Sequence, residues 1–188
     1  MIATALARPA RLLLLVLLAA LPARPARATL ADDALPPIVA VFPIEIADTS
    51  GEPPNPQWPE RVTAVTHELA LQLAASGQYR GVELAPAAVQ AVATVPVYRC
   101  DGCWRELARK AGADAVAISV VHKTSTLISS LHVWLLDVAT QRMLHQGAVS
   151  LRGDTEEAWR RAVAFLLRRG ILNGDASRPM LSSPFPGG

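Results

Sequence analysis

The 188-residue sequence lacks the motifs that mark the common catalytic, nucleotide-binding and zinc sites. No Gly-x-Ser-x-Gly elbow holds a serine nucleophile, and Gly51 and Gly153 stand alone where a phosphate-binding loop would need clustered glycines. A second Cys-x-x-Cys or a His-x-x-x-His, either of which would complete a zinc site, is also missing. We therefore expect no catalytic residues, no metal and no cofactor, and a protein that is not an enzyme.

A basic patch is missing as well, although the full chain has a net charge of +2. Four of its 18 basic residues precede residue 29, whereas all 16 acidic residues follow it, so the remainder has 14 basic and 16 acidic residues and a net charge of −2. Nucleic-acid binding needs a positive surface against the phosphates. The sequence therefore predicts no nucleic-acid partner.

The longest uninterrupted apolar run, residues 12–21, is too short to cross a bilayer, which takes about 20 residues. Two arginines precede it, and Ala26-Arg27-Ala28 after it has the small-x-small pattern of a signal-peptidase site. We interpret residues 1–28 as a signal peptide cleaved after Ala28, which predicts a periplasmic protein with no transmembrane segment once the leader is removed. No cysteine follows the apolar run, which argues against a lipoprotein anchor.

Cysteine is scarce too, since the chain has only Cys100 and Cys103. In an exported protein, paired thiols usually form a disulfide, so we predict that these two are bonded and act as a structural staple. The alternative is a thiol-disulfide redox site, because thiol oxidoreductases use a Cys-x-x-Cys at a helix N-terminus. Two features expected of a thioredoxin are missing. No helix follows the predicted strand 114–121, and no proline lies near Ser125 to face the sulfurs.

Hydrophobic periodicity predicts a single α/β (α+β) domain over residues 38–172, after a flexible lead-in at 29–37 and before a disordered tail at 173–188. The predicted order of elements along the chain is β-α-β-α-β-β-β-α. The helices pack on a mixed sheet of about five strands, and the last three strands form an antiparallel meander. The strands are predicted at 38–46, 79–84, 114–121, 131–137 and 143–151. The third should be central because it is apolar on both faces, and Gly81 suggests a bulge in the second.

Particular residues set the boundaries of these elements. Pro43 lacks the N–H that a strand ladder needs, so it predicts an edge, a bulge or a break in the first strand. Gly77 is a suitable residue to end the first helix. Asp154, with Glu157 three residues later, resembles a capping box and is the predicted N-cap of the last helix. Gln141 occupies a hairpin turn where a glycine would be more usual.

The element order, with the loop Asp48-Thr49-Ser50-Gly51 after the first strand, resembles the amino-terminal domain of TolB and, more coarsely, curli-secretion and penicillin-binding-protein-activator lipoproteins. Four motifs carry a closer resemblance: Cys100-x-x-Cys103, Gly112-Ala113-Asp114, Lys123-x-Ser125-x-Leu127-Ile128 and Asp137-Val138-Ala139-Thr140. They are similar to a family of exported Gram-negative proteins of unknown function, some of them encoded beside quinoprotein alcohol dehydrogenases. The resemblance implies a TolB amino-terminal-domain-like fold and a non-catalytic adaptor or accessory role that works through contacts with an envelope protein.

Aromatic residues make up only 5% of the chain, so each tryptophan is informative. Trp104 and Trp159 lie in predicted helices and are assigned to the core. Trp58 falls in a proline-rich loop whose first residues include Asp48 and Ser50. We predict these three as contact residues for a partner protein, since large aromatics anchor interfaces.

Three histidines leave a further alternative open. His122, His132 and His145 lie on successive predicted strands. If they met on one face of the sheet, they would provide a site for a small ligand or a metal. Strand histidines that are exposed or hydrogen-bonded are the favoured interpretation.

Overall fold

The computed structural model describes residues 35–172, and the elements within that range follow the predicted order closely. The strands are β1 (Ile38–Val41), β2 (Glu45–Asp48), β3 (Arg80–Glu83), β4 (Ala115–Lys123), β5 (Ser129–Asp137) and β6 (Met143–Leu151). The helices are α1 (Trp58–Ala75), α2 (Pro86–Gln90), α3 (Trp104–Lys110) and α4 (Glu156–Leu166). A 3-10 turn (Val97–Arg99) precedes α3, and a π-helical segment (Leu167–Ile171) follows α4.

The strands form one mixed sheet in the order β3-β1-β4-β5-β6, and β2 also pairs with β4. β1 lies parallel to both β3 and β4, and β2 lies parallel to β4. β4, β5 and β6 form an antiparallel meander. The predicted mixed α/β sheet is confirmed, with β4 at its centre and buried on both faces.

The sheet has six strands where about five were expected, because Pro43 divides the first one. Val41 pairs with Ala117 and Glu45 pairs with Val120. The chain therefore advances four residues from β1 to β2 while β4 advances three. The extra residue is accommodated at Pro43, which has no N–H to give to the ladder. The next N–H, of Ile44, leaves the sheet and donates to the Thr66 hydroxyl on α1 at 3.0 Å.

Two hydrophobic layers cover the sheet. On one face, α1, α4 and the π-helical segment bury side chains that include Leu69, Leu73 and Trp159. On the other face, α2, the 3-10 turn and α3 bury a second cluster that includes Phe42 and Trp104. Trp104 and Trp159 are each 2% exposed, which confirms their predicted place in the core.

The predicted segments at the two ends are described only in part. The signal peptide 1–28 and the tail 173–188 lie outside the described residues. Of the lead-in 29–37, the last three residues are described, and there the carbonyls of Pro36 and Pro37 accept hydrogen bonds from the side chain and the main chain of Arg80. The chain is therefore fixed to β3 from Pro36 onward.

The helix boundaries agree with the sequence signals except at α4. Gly77 follows α1 with a φ of 69°, a conformation that glycine adopts without strain. At α4 the N-cap is Thr155, whose hydroxyl accepts from the N–H of Ala158 at 3.2 Å. The assignment of Asp154 as the N-cap is therefore wrong by one residue, because the Asp154 carboxylate instead bonds side chains of α1 and the loop before it.

The turn between β5 and β6 contains a strained residue. Gln141 has a φ of 61°, the left-handed region that β-carbon sterics disfavour, and it is held there by its N–H bond to the Asp137 carbonyl at 2.9 Å. We expect Gln141→Gly to raise the free energy of unfolding by about 0.5 to 1 kcal/mol, measured by urea denaturation. Gln141→Ala keeps the strain and should show no gain, and equal effects of the two variants would contradict this account.

Candidate functional site

The most distinctive surface lies at the end of the sheet where the carboxyl ends of β2 and β4 are found. Because these strands are parallel, their carboxyl ends meet, which brings the loop after β2 beside the turn between β4 and β5. The N–H of Thr49 donates to the carbonyl of Lys123 at 2.8 Å and ties the two together. We call this region the tip surface and define it by Asp48, Ser50, Leu127 and Ile128.

Hydrogen bonds close the turn of the tip surface. The N–H groups of Thr124 and Ser125 donate to the carbonyl of Ile128 at 3.0 and 3.2 Å. In return, the Ser125 hydroxyl accepts from the N–H groups of Leu127 and Ile128 at 3.4 and 3.2 Å. Local bonds therefore fix the backbone on both sides of the apolar pair.

An ion pair joins this turn to the loop after β2. Lys123 Nζ donates to one oxygen of the Glu52 carboxylate at 2.7 Å, and the Thr126 hydroxyl donates to the other. The bond to Glu52 raises the pKa of Lys123, and the bonds from Lys123 and Thr126 lower the pKa of Glu52, so both groups stay charged at neutral pH. The turn and the loop are thus held as one unit.

The side chains at the outer end of this unit are apolar and exposed. Leu127 is 82% and Ile128 is 64% exposed, on a backbone with little freedom to turn them inward. Beside them, Asp48 accepts bonds from the Ser50 hydroxyl at 2.6 Å and the Ser50 N–H at 2.9 Å. These bonds lower the pKa of Asp48, which keeps the carboxylate ionised. The surface therefore combines an aliphatic pair with a negative charge.

The third predicted contact residue has a different position. Asp48 and Ser50 lie on the tip surface, but Trp58 begins α1 and is only 8% exposed. Its ring lies under Lys123, with Nζ 5.4 Å from the ring centroid, and its Nε1 donates to Asp154 at 3.1 Å. The structure places Trp58 in the core below the tip, where it supports the surface from inside.

Sequence reasoning did not find the polar network next to Trp58. The Asp154 carboxylate pairs with the guanidinium of Arg61 and accepts from Asn55 Nδ2 at 2.8 Å. Arg61 is only 4% exposed and its guanidinium lies 5.3 Å from the centroid of the Trp159 ring. The one available signal is the position of Arg61, which falls on the apolar stripe of α1 three residues after Trp58 and four before Val65.

An apolar groove lies between β2 and the start of α1. Its volume is about 480 Å³, and its lining is Ile44, Ile46, Pro54, Asn55, Pro56, Trp58, Pro59 and Val62. None of these side chains titrates between pH 2 and 12, and only Asn55 and Trp58 bear polar groups. The lining of the groove is therefore almost entirely apolar.

The two cysteines are at bonding distance, with their sulfurs 1.95 Å apart. Cys100 is 6% exposed and packs in the hydrophobic cluster of α2 and α3, while Cys103 is the N-cap of α3. The burial of Cys100 hinders attack on its sulfur and favours the structural staple, while Cys103 is half-buried.

We expect the disulfide to have a reduction potential below about −300 mV, measured by equilibration with dithiothreitol. The loop-entropy relation gives a loss of about 2 kcal/mol in the free energy of unfolding for Cys100→Ala/Cys103→Ala. A potential between about −270 and −120 mV would instead support the redox alternative.

The three histidines do not share a face. His132 and His122 lie on the face of α3, where His132 stacks on Trp134 with ring centroids 5.8 Å apart. His145 pairs with Leu135 and so lies on the opposite face. The suggested three-histidine site is therefore wrong, since strand alternation separates its members. Within residues 35–172 no three metal-ligating side chains are grouped.

Burial affects the histidines on both faces. It lowers the pKa of His132, and the neighbouring His122 adds to that shift. It also lowers the pKa of His145. Both are therefore neutral at pH 7.

Across residues 35–172, the helices fall short of the length and apolar content that a bilayer span requires.

Comparison with known proteins gives a family and several distant structural neighbours. No curated protein matches the chain. Among solved structures, the PelC dodecamer of Paraburkholderia phytofirmans is similar, with 18% identity over 77% of this chain and 91% of that one and a TM-score of 0.49. The LpoB C-terminal domain of Salmonella enterica is similar with 16% identity, 63% and 84% coverage and a TM-score of 0.46.

TolB of Acinetobacter baumannii, the protein of the predicted resemblance, has 14% identity over 72% of this chain and 29% of its own length, with a TM-score of 0.39. The family profile gives the assignment. It is named DUF3280 and described as a protein of unknown function (DUF2380), and it matches residues 37–171, nearly all of the described domain. The chain belongs to this family.

Proposed function

We propose that this protein is a periplasmic accessory protein that acts by binding another envelope protein and catalyses no reaction. The observation that carries the proposal is the pair Leu127 and Ile128, 82% and 64% exposed on a turn that hydrogen bonds hold rigid. Adjacent exposed apolar side chains contribute to the kind of surface patch at which proteins bind one another. The signal-peptide pattern of residues 1–28 supports the periplasmic location.

The rigidity of the tip surface favours binding energetically. A contact surface that is already ordered loses little conformational entropy when a partner covers it. Here the turn is closed by its own backbone bonds and by the pair of Lys123 and Glu52. The apolar pair is therefore presented in one geometry before any partner arrives.

The charge of the tip surface indicates the chemistry of the partner. Asp48 is exposed, and its bonds to Ser50 keep it ionised without neutralising it. A complementary surface has an apolar cleft for Leu127 and Ile128 with a cationic side chain at its rim. The resemblance to proteins encoded beside quinoprotein alcohol dehydrogenases makes a component of such a system the first partner to examine.

Photo-crosslinking from the tip tests this function. A benzophenone amino acid replaces Leu127 in one variant and Leu71, 51% exposed on α1, in a matched control. In the native cells, the tip variant is expected to give one discrete adduct with an envelope protein that the control does not give. Purified partner, identified from the adduct by mass spectrometry, should bind Leu127→Ser/Ile128→Ser at least tenfold more weakly than wild type.

Two results would contradict the proposal. One is the same set of adducts from both positions, which would mean non-specific contact. The other is unchanged affinity for the identified partner in Leu127→Ser/Ile128→Ser with wild-type thermal stability. Asp48→Lys, at an exposed position, should weaken binding mainly through the association rate, and this loss should shrink at high salt.

A further inference from the structure

β6 forms an edge of the sheet and has few of the features that protect such strands. Within residues 35–172, it pairs with β5 on one side and with no strand on the other. Natural proteins protect long edge strands with lysine, proline, inward-facing charges or bulges, because unpaired N–H and C=O groups recruit other strands. The nine residues of β6, Met-Leu-His-Gln-Gly-Ala-Val-Ser-Leu, include no charge and no proline. The one irregularity lies near its start, opposite Leu135 and Leu136.

Apolar side chains accompany this open edge. Met143 and Leu144 at the start of β6 are 40% and 38% exposed. Phe165 on α4 is 42% exposed, and α4 packs on β5 and β6. Arg160 of α4 faces α1, where it pairs with Glu68 at 3.3 Å, and Phe165 lies about 140° further round the helix. Phe165 is therefore on the side of α4 away from α1, toward the β6 edge.

Arginines mark both ends of the strand. Arg142 directly precedes β6 and Arg152 directly follows it, and both are exposed. Neither forms an ion pair with another residue of the 35–172 domain. Arg142 is near Asp137, and its charge adds to the bonds from Thr140 in lowering the pKa of that carboxyl. At about 3.4 Å per residue they are roughly 34 Å apart along the strand. An extended segment lying along β6 would meet a positive charge at each end.

The same charges act against self-pairing. In an antiparallel pair of two copies centred on Gly147, Arg142 of each copy would lie opposite Arg152 of the other. Like charges directly across a strand pair destabilise it. The edge is better matched by a different chain that carries carboxylates.

We propose that the outer edge of β6 binds an extended segment of another protein, which joins the sheet as an added strand and has an acidic residue at each end. Main-chain hydrogen bonds would supply affinity, and Arg142 and Arg152 would select the segment by charge. This inference goes beyond the proposed function, since it assigns a partner to a surface distinct from Leu127 and Ile128.

Synthetic peptides test the edge directly. The probe is a short peptide of alternating threonine and valine with aspartate at both ends, added to the chain from residue 29 onward. The comparisons are the same peptide with lysine ends and one with aspartate ends that is N-methylated at every residue, so that neither of its edges can donate to β6. We expect the first peptide to slow hydrogen exchange of alternate β6 amides about tenfold and to bind several-fold more tightly than the lysine peptide. The N-methylated peptide should give no protection.

Charge reversal gives the decisive comparison. Arg142→Glu/Arg152→Glu should make the lysine peptide the tighter one, while Arg109→Glu, an exposed change on α3, should leave the order unchanged. Equal binding of both peptides, or equal protection by the N-methylated peptide, would overturn the proposal. So would protection that rises with protein concentration alone, which would mean that a second copy occupies the edge.

Leu127→Ser/Ile128→Ser separates the two proposals. It should bind the aspartate peptide as wild type does, even though its partner binding through the tip is expected to fall. Loss of peptide binding in this variant, with the fold intact, would contradict the edge site. Retained peptide binding alongside unchanged partner binding would contradict the proposed function alone.

Discussion

Asp154→Ala is expected to lower the free energy of unfolding by about 3 kcal/mol. The reason is Arg61, which is 4% exposed and would lose its carboxylate partner. A buried cation without a counter-ion keeps its desolvation penalty but loses the attraction that offset it. Asn55 and the indole N–H of Trp58 would lose their acceptor in the same change. Urea denaturation of the two proteins measures the difference.

Two controls separate the burial of this pair from its charge. Glu157→Ala breaks the pair with Arg161, which is exposed on α4, and should cost less than about 1 kcal/mol. Arg61→Met/Asp154→Ala removes both charges and should recover part of the loss of the single variant, because no uncompensated cation remains. If Asp154→Ala cost no more than Glu157→Ala, water would be reaching Arg61 and the network would not be a structural one.

The pair of Asp154 and Arg61 also makes the free energy of unfolding depend on pH, and the direction of that dependence follows from the pKa of Asp154. Burial alone would raise the pKa of Asp154, but the bonds from Asn55 and Trp58 and the charge of Arg61 outweigh it and hold the pKa below its ordinary value. A carboxyl whose folded pKa is depressed contributes stability above its unfolded pKa and loses it as the pH falls through the folded value. Wild type should therefore lose stability relative to Asp154→Asn as the pH drops below about 4. Parallel stability curves for the two proteins in that range would contradict this linkage.

Much of the fold follows from short-range patterns. The run from Ala115 to Val121 predicts a strand buried on both faces because every side chain except that of Ser119 is apolar. The ends of α1 and the break at Pro43 follow from single residues with fixed backbone preferences. Such signals depend on neighbours in the sequence, so one sequence is enough to interpret them.

The candidate site depends on contacts that such patterns cannot show. Asp154 and Arg61 are 93 residues apart in sequence, and Lys123 and Glu52 are 71 apart. A carboxylate before a helix has the same local pattern whether it caps that helix or crosses to another one. Leu127 and Ile128 also resemble the start of a buried strand, and only the closed turn before β5 shows that they face solvent.

The role of Gly81 in the core also depends on a contact between residues far apart in the sequence. Its replacement is the second change expected to cause a large loss of stability. The sequence suggests a bulge there, but β3 pairs with β1 in unbroken register from Arg80 to Glu83. What needs glycine is the close approach of α1, because a β-carbon on residue 81 would lie 2.6 Å from the main-chain oxygen of Ala70. We expect Gly81→Ala to lower the free energy of unfolding by about 3 kcal/mol, as overpacking against an unyielding neighbour does. Denaturant unfolding gives the value.

The loss of stability caused by a new β-carbon depends on which atom it meets. A β-carbon on residue 147 would meet only the Cδ2 atom of Leu166 at 3.0 Å, and a flexible side chain can turn away. Gly147→Ala should therefore cost less than Gly81→Ala, and Gly170→Ala, with nothing within 4 Å, should change stability by less than about 0.5 kcal/mol. Ala70→Gly should fail to rescue Gly81→Ala, since the clash is with the main chain of α1. Rescue, or a Gly81→Ala cost equal to that of Gly170→Ala, would mean that α1 can move away from β3 freely and that the close contact does not fix its position.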